Sequence, residues 1–194
     1  MPFRFYHAGM ARTRLLVSLV VLALVAPACS NGARIGGEPP EAQPVLAAGN
    51  ATEAPLLPTN AYELPAFDLA RYEELLRQLE GTPVVVNIWG SWCGPCRDEA
   101  PLFARAARTY GDRVQFIGVD ILDVRSSARD FMREFDWTYP SVFDPSPGGD
   151  IRNRLGYIGQ PDTIFYDAAG RKVFDWEGAI TSDRLNAGID KILP

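Results

Sequence analysis

Histidine is almost missing from this chain: its 194 residues hold one, His7, near the N-terminus, and cysteine is nearly as scarce, with Cys29, Cys93 and Cys96. If the first few dozen residues are removed or unstructured, the folded part has no histidine. That excludes Ser/His/Asp and Cys/His hydrolases, haem or blue-copper ligation and histidine-rich zinc sites. Three cysteines cannot make a four-thiolate metal site within one chain. Lysine is also rare, Lys172 and Lys191 being the two present, and nothing functional follows from it. What is abundant is apolar: 47% hydrophobic and 11% aromatic residues describe a globular chain, long enough for one domain and an extra segment.

Charge divides the chain unevenly. Residues 1–28 carry Arg4, Arg12 and Arg14 and no acid, so the rest holds 24 acids against 16 bases, a formal charge of −8. So acidic a body repels phosphate backbones, and nucleic acid is excluded as a partner.

The first 28 residues read as an export signal, with a basic start, a twelve-residue apolar run from Leu15 to Ala26, and Ala26-Pro27-Ala28 before Cys29. A bilayer span needs about 20 residues, so the run is too short for a helix that crosses. Cys29 after small residues resembles a bacterial lipobox, in which the cysteine carries lipid and anchors the protein to the membrane; Ala26 stands where leucine is usual. Lipoprotein, plain secretion and an uncleaved anchor all place the body outside the cytoplasm, at the outer face of the membrane or free of it. Residues 29–60 read as a tether: fifteen of residues 30–60 are Gly, Pro or Ala, and a flexible chain of that length spans roughly 30 Å.

Residues 61–194 alternate between two periodicities. Asp68 to Gly81 has an N-cap acid, helical apolar spacing and a glycine stop. Val84–Trp89 is a continuous apolar run, as a strand buried on both faces requires. A helix is expected from Cys93 to Tyr110, kinked at Pro101 and stopped by Gly111. Then come a strand at 114–119 ending at Asp120, a helix at 127–135, a strand at 139–143, a short helix at 150–155, a hairpin of 163–166 with 172–176, and a closing helix at 182–193. That order predicts an α/β fold with a mixed central sheet flanked by helices.

Trp92-Cys93-Gly94-Pro95-Cys96 falls between the buried strand and the helix. At the helix start Cys93 meets free N–H groups and the positive end of the macrodipole, which favour thiolate. Cys96, three residues on, shares its face and can close a small disulfide. Gly94 permits close approach, and Pro95 occupies a first-turn position whose N–H is not needed. A two-residue loop staples the unfolded chain little, so reversible dithiol–disulfide exchange outweighs a structural disulfide, half of a shared metal site, or coincidence. No metal and no cofactor beyond the redox-active disulfide is expected.

The segment from Val86 through Arg97 resembles the active site of the thioredoxin superfamily, and more narrowly the membrane-tethered TlpA/ResA/CcmG group. The resemblance implies a thioredoxin-like fold in which Asp123–Phe143 is the group's αβ insertion. It implies that Pro161, in Gly159-Gln160-Pro161-Asp162-Thr163, is cis beside the cysteines and that the Gln160 backbone pairs with a bound partner. It makes Trp92 a docking platform and Glu99 a tuner of the thiols. Two positions depart from the pattern: Asn87 stands where thioredoxin has a buried aspartate, leaving any proton relay to Glu99, and Asp162 replaces a threonine. The implied function is reduction of protein disulfides, including those of apocytochrome c, with electrons from a CcdA/DsbD-type membrane carrier. A disulfide-forming oxidase and a redox-inactive binding or chaperone domain are the alternatives.

Overall fold

The computed structural model describes residues 54–194; the export signal, Cys29 and most of the tether lie outside the described residues. Helix α1 (Leu69–Gln78) is capped by Asp68, whose Oδ1 accepts from the Arg71 N–H at 2.9 Å. It buries Tyr72 and Leu75, and Gly81 beyond it has a φ of +101°, a left-handed turn that favours glycine. Strand β1 (Val84–Trp89) is buried at all six positions. Helix α2 (Gly94–Tyr110) runs on through Pro101. Strand β2 (Gln115–Ile121), helix α3 (Arg125–Glu134), strand β3 (Ser141–Asp144), helix α4 (Asp150–Arg154), strands β4 (Asp162–Tyr166) and β5 (Lys172–Glu177), and helix α5 (Ser182–Ile192) complete the order.

The five strands form one sheet in the order β3-β2-β1-β4-β5. β1 pairs in parallel with β2 and antiparallel with β4; β2–β3 is parallel and β4–β5 antiparallel. Alternation splits the core. Val84, Val86 and Ile88 pack with Tyr72, Leu75 and Ile151 of α1 and α4, while Val85 and Trp89 pack with α2, α3 and α5 through Phe103, Phe131 and Leu185. Each such fully buried side chain contributes about 1.5–3 kcal/mol. This is the mixed, helix-flanked sheet that the alternation of periods predicts.

The differences are at the ends of elements. β2 continues through Asp120 to Ile121, because ladders on both sides hold it: Asp120 pairs with Trp89 and with Phe143. β3 starts at Ser141 and not at Tyr139, whose ring belongs to an aromatic cluster with Trp137, Phe103 and Phe116. Gly111 caps α2 in right-handed geometry, with φ −64°, so the helix ends without the left-handed turn a glycine stop suggests. Packing also reaches back beyond residue 61: Leu57 is buried, and the Gln78 side chain bonds Leu56 N–H at 3.0 Å and the Ala54 carbonyl at 3.4 Å. No apolar period marks that stretch, since two adjacent leucines, Leu56 and Leu57, and two backbone bonds make the attachment.

A Cβ on Gly118 of β2 would sit 2.2 Å from Ser141 Oγ and 2.8 Å from Trp89 Nε1. Gly118→Ala should therefore destabilise the protein by about 1–3 kcal/mol, seen as a lower urea midpoint with an unchanged slope.

Candidate active site

Three loops meet at one end of the sheet: β1–α2, β2–α3 and α4–β4. Cys93 ends the first as the N-cap of α2. Its Sγ accepts from the Cys96 N–H at 3.2 Å, and Pro95 lies in the first turn. Cys93 and Cys96 are joined in a disulfide with Cα atoms 5.2 Å apart. Cys93 is 4% exposed and Cys96 1%. A Cβ on Gly94 would meet nothing within 4 Å, so the fold does not require glycine there, and its absence of a side chain leaves the approach to Cys93 clear.

The third loop closes over the disulfide. The Gln160–Pro161 peptide is cis, and the Gln160 carbonyl oxygen lies 3.8 Å from Cys93 Sγ. Arg152 of α4 steadies this loop, donating from Nη1 to Gln160 Oε1 at 3.3 Å.

Beneath the cysteines, Glu99 is buried on the Cys96 face of α2. Its Oε1 accepts from Asn87 Nδ2 and its Oε2 from the Ile180 N–H, each at 2.9 Å. Burial pushes its carboxyl up to about 7, against those two hydrogen bonds and with help from the charge of Asp162. A group that changes charge near neutrality, one turn from Cys96, can take a proton from it. Asn87 cannot exchange a proton but fixes the carboxylate that can. Trp89 is fully buried, a core residue.

Two more acids are buried close by. Asp162, at the start of β4, is raised to about 6, chiefly by burial and then by Glu177, with Arg152 and the Gly178 N–H pulling it down. At 2% exposure it cannot touch a partner, so its effect on the site passes through its field. Asp120, at 0% exposure with no hydrogen-bond partner on either oxygen, is pushed up to about 9 by burial and then by Asp123. Sequence reasoning passed over Asp120 because a strand-end aspartate reads as a turn. It also missed the latch beside it: Asp123 Oδ1 accepts from Ser91 Oγ at 2.9 Å, Asp123 Oδ2 takes the Ser91 N–H, and Trp92 Nε1 donates to the Leu122 carbonyl at 3.0 Å. Nothing local in sequence marks residues 30 and 32 positions apart as neighbours.

Among the described residues no group of three or more His, Cys, Asp or Glu could hold a metal ion, and no helix is long and apolar enough to cross a membrane.

A family model described as the AhpC/TSA family matches residues 60–174. The chain belongs to the AhpC/TSA family. It is 31% identical over 154 residues to the thiol:disulfide interchange protein HelX of Rhodobacter capsulatus, covering 79% of this chain and 81% of that one. To the thiol-disulfide oxidoreductase ResA of Bacillus thuringiensis it is 29% identical over 136 residues, covering 68% and 78%. Among solved structures it resembles a secreted Mycobacterium tuberculosis disulfide oxidoreductase homologous to E. coli DsbE, at 26% identity and a TM-score of 0.51, covering 58% of this chain and 83% of that one. With the fold thioredoxin-like and the CxxC closed, this AhpC/TSA member is a thiol–disulfide oxidoreductase.

The folded state holds the Glu99 proton more tightly than the unfolded chain does. Folding therefore takes up a proton between about pH 4.5 and about pH 7, and stability falls as pH rises through that window. Glu99→Gln should remove its share of the slope, about 1.4 kcal/mol per pH unit, and leave the parts due to Asp162 and Asp120. Denaturant unfolding of the oxidised protein at a series of pH values measures this.

Proposed function

We propose that this chain is an extracytoplasmic oxidoreductase, held at the outer face of the membrane through Cys29, that reduces disulfides in protein partners such as apocytochrome c. The observation that carries the exchange chemistry is the Cys93–Cys96 disulfide at the head of α2, with the Gln160 carbonyl on one side and buried Glu99 below. The leader and Cys29 support the location, and the Gly-Pro pair and the group resemblance support the direction.

In the reduced protein the Cys93 thiolate, favoured at the helix N-terminus, attacks one sulfur of a partner disulfide. The new S–S bond joins Cys93 to the partner, and the partner's other sulfur leaves as a thiolate that takes a proton from solvent. Glu99 then accepts the Cys96 proton, and the Cys96 thiolate attacks Cys93 Sγ. The Cys93–Cys96 bond forms, the mixed disulfide breaks, and the second partner sulfur leaves and is protonated. The partner gains two electrons and two protons; the chain loses two electrons, its Cys93 proton having gone to solvent when the thiolate formed and its Cys96 proton leaving through Glu99. A membrane dithiol carrier of the CcdA/DsbD type restores the reduced state by the reverse exchange. The disulfide is the redox group, and no other cofactor is required.

Cys93→Ser should abolish disulfide reduction, and Cys96→Ser should accumulate the mixed disulfide, visible on non-reducing gels and identifiable by mass spectrometry. If both variants match the unaltered protein, the exchange mechanism fails. A reduction potential nearer −270 than −120 mV fits a reductant, and one near −120 mV would make the protein an oxidant. Mass spectrometry of the mature N-terminus should find acyl chains on Cys29; an unmodified peptide starting there would remove the lipid anchor.

A further inference from the structure

The turn between β5 and α5 carries one of the two donors that meet Glu99. It consists of Gly178, Ala179 and Ile180 and is tied on two sides. The Gly178 N–H donates to the Pro161 carbonyl at 2.8 Å, and the Ile180 N–H donates to Glu99 Oε2 at 2.9 Å. Gly178 holds a left-handed backbone, φ +83°, which glycine adopts without strain. A short turn thus joins the cis-proline loop to the buried acid beneath Cys96.

A third bond sets how that turn is oriented. Trp176 Nε1 donates to the Ala179 carbonyl at 3.2 Å. The Ala179 carbonyl and the Ile180 N–H belong to one peptide unit, which is planar and trans, so the two groups point in opposite directions. The unit is clamped between the indole N–H at one end and the Glu99 carboxyl at the other. Donation runs one way along this chain, and each hydrogen bond in such a chain polarises the next. The indole is itself held: Trp176 packs against the core that α2 and α5 share, pairs with Thr163 of β4, and carries the Arg184 guanidinium 5.0 Å above its ring.

We propose that Trp176 is a positioning residue for the exchange reaction, its indole N–H holding the Ala179–Ile180 peptide so that the peptide's own N–H faces Glu99. This rests on the redox reading above, in which Glu99 takes the Cys96 proton. Besides Ile180, Glu99 is faced by Asn87 of β1, whose Nδ2 bonds Oε1 at 2.9 Å, by Asp162 at the start of β4, whose charge opposes its ionisation, and by the buried Tyr139 hydroxyl before β3, whose proton burial and then the charge of Glu99 hold well above the usual phenol range. The ionised form therefore draws its support from two N–H donors, Ile180 and Asn87. Loosening the Ile180 peptide strengthens the hold of Glu99 on a proton that burial already keeps up to about pH 7.

Trp176→Phe keeps an aromatic ring for the core and for Arg184 and removes the donor. In the test the full chain, reduced beforehand, meets one equivalent of dithiobis(nitrobenzoate). The Cys93 thiolate attacks one sulfur of the reagent, a coloured nitrothiobenzoate leaves, and the other aryl sulfur stays bonded to Cys93. Cys96 then gives its proton to Glu99 and attacks Cys93 Sγ, the bond to the aryl sulfur breaks, and a second nitrothiobenzoate leaves. The two thiols of the chain become one disulfide, and the reagent becomes two thiolates. The second release does not depend on reagent concentration and rises with pH as Glu99 ionises. Trp176→Phe should move its midpoint up by about half a pH unit, which is a rate about threefold lower below the midpoint, and leave the first release unchanged.

The same shift should appear in the oxidised protein. There the Glu99 carboxyl is followed by NMR with isotope-labelled glutamate and assigned by its loss in Glu99→Gln. In a Glu99→Gln background Trp176→Phe should slow the second release no further, since the two act through one bond. A midpoint unmoved in Trp176→Phe, a slowing equal at every pH, or a further slowing in the double variant overturns the proposal. An unaltered chain that releases no nitrothiobenzoate overturns the redox reading itself, and a second release indifferent to Glu99→Gln removes Glu99 from it. Either is a separate result, because the carboxyl midpoint of the oxidised protein still decides whether Trp176 orients the peptide.

Discussion

The position of β1 is the constraint from which the reactive end follows. A strand with no exposed residue must have neighbours on both edges and helices on both faces, and β1 has β2 and β4 at its edges. Its parallel pairing with β2 requires a crossover helix, so α2 has to start where β1 stops. The ends of the strands coincide: Trp89 pairs with Asp120 and Ile88 with Asp162. One register thus brings the CxxC, the Leu122–Val124 loop and the Gln160–Pro161 loop to the same edge. Glu99 joins the arrangement from beneath, tying β1 through Asn87 and the segment before α5 through Ile180 to the helix that carries the cysteines.

The electrostatics of that edge are milder than a count of acids suggests. Formal charge counts Asp120, Asp162 and Glu99 as three anions, but burial lifts all three, to about 9, 6 and 7. Near neutral pH Asp120 keeps its proton and Glu99 is poised between states. A thiolate at Cys93 therefore faces a helix N-terminus without three full negative charges behind it. The same burial separates their roles. Glu99 lies on the Cys96 face with both oxygens hydrogen-bonded, whereas Asp162 is on the opposite face of the sheet among Arg152, Asp175 and Glu177 and acts only at a distance.

The rim shows a different compromise. The latch from Ser91 to Asp123 and from Trp92 to Leu122 fixes two loops against each other, and Gly90 allows it, since a Cβ there would come within 2.9 Å of the Trp92 indole nitrogen. Above this latch Val124 leaves α3 without a side-chain cap and Leu122 takes a left-handed backbone, so the loop is held by its bonds to β1–α2 and not by local preference.

The strands and helices were legible because their periods are strong: the run Val84–Trp89, the Asp68 cap and the spacing of α2 each carry their own physical signature. The CxxC was legible too, because nucleophile, resolving thiol and helix start lie within four consecutive positions. Element ends were less so, since β2 runs past Asp120 only because the β3 ladder continues to Ile121. By itself the sequence determined that two thiols at a strand–helix junction are the reactive inventory of the described body, a matter of residue type and short spacing. Only the tertiary structure decided which acids are buried, that Ser91 meets Asp123, and that the loops after β1, after β2 and before β4 meet at one disulfide. Those relations join residues 30 to 70 positions apart, and sheet register, which no local pattern encodes, sets them.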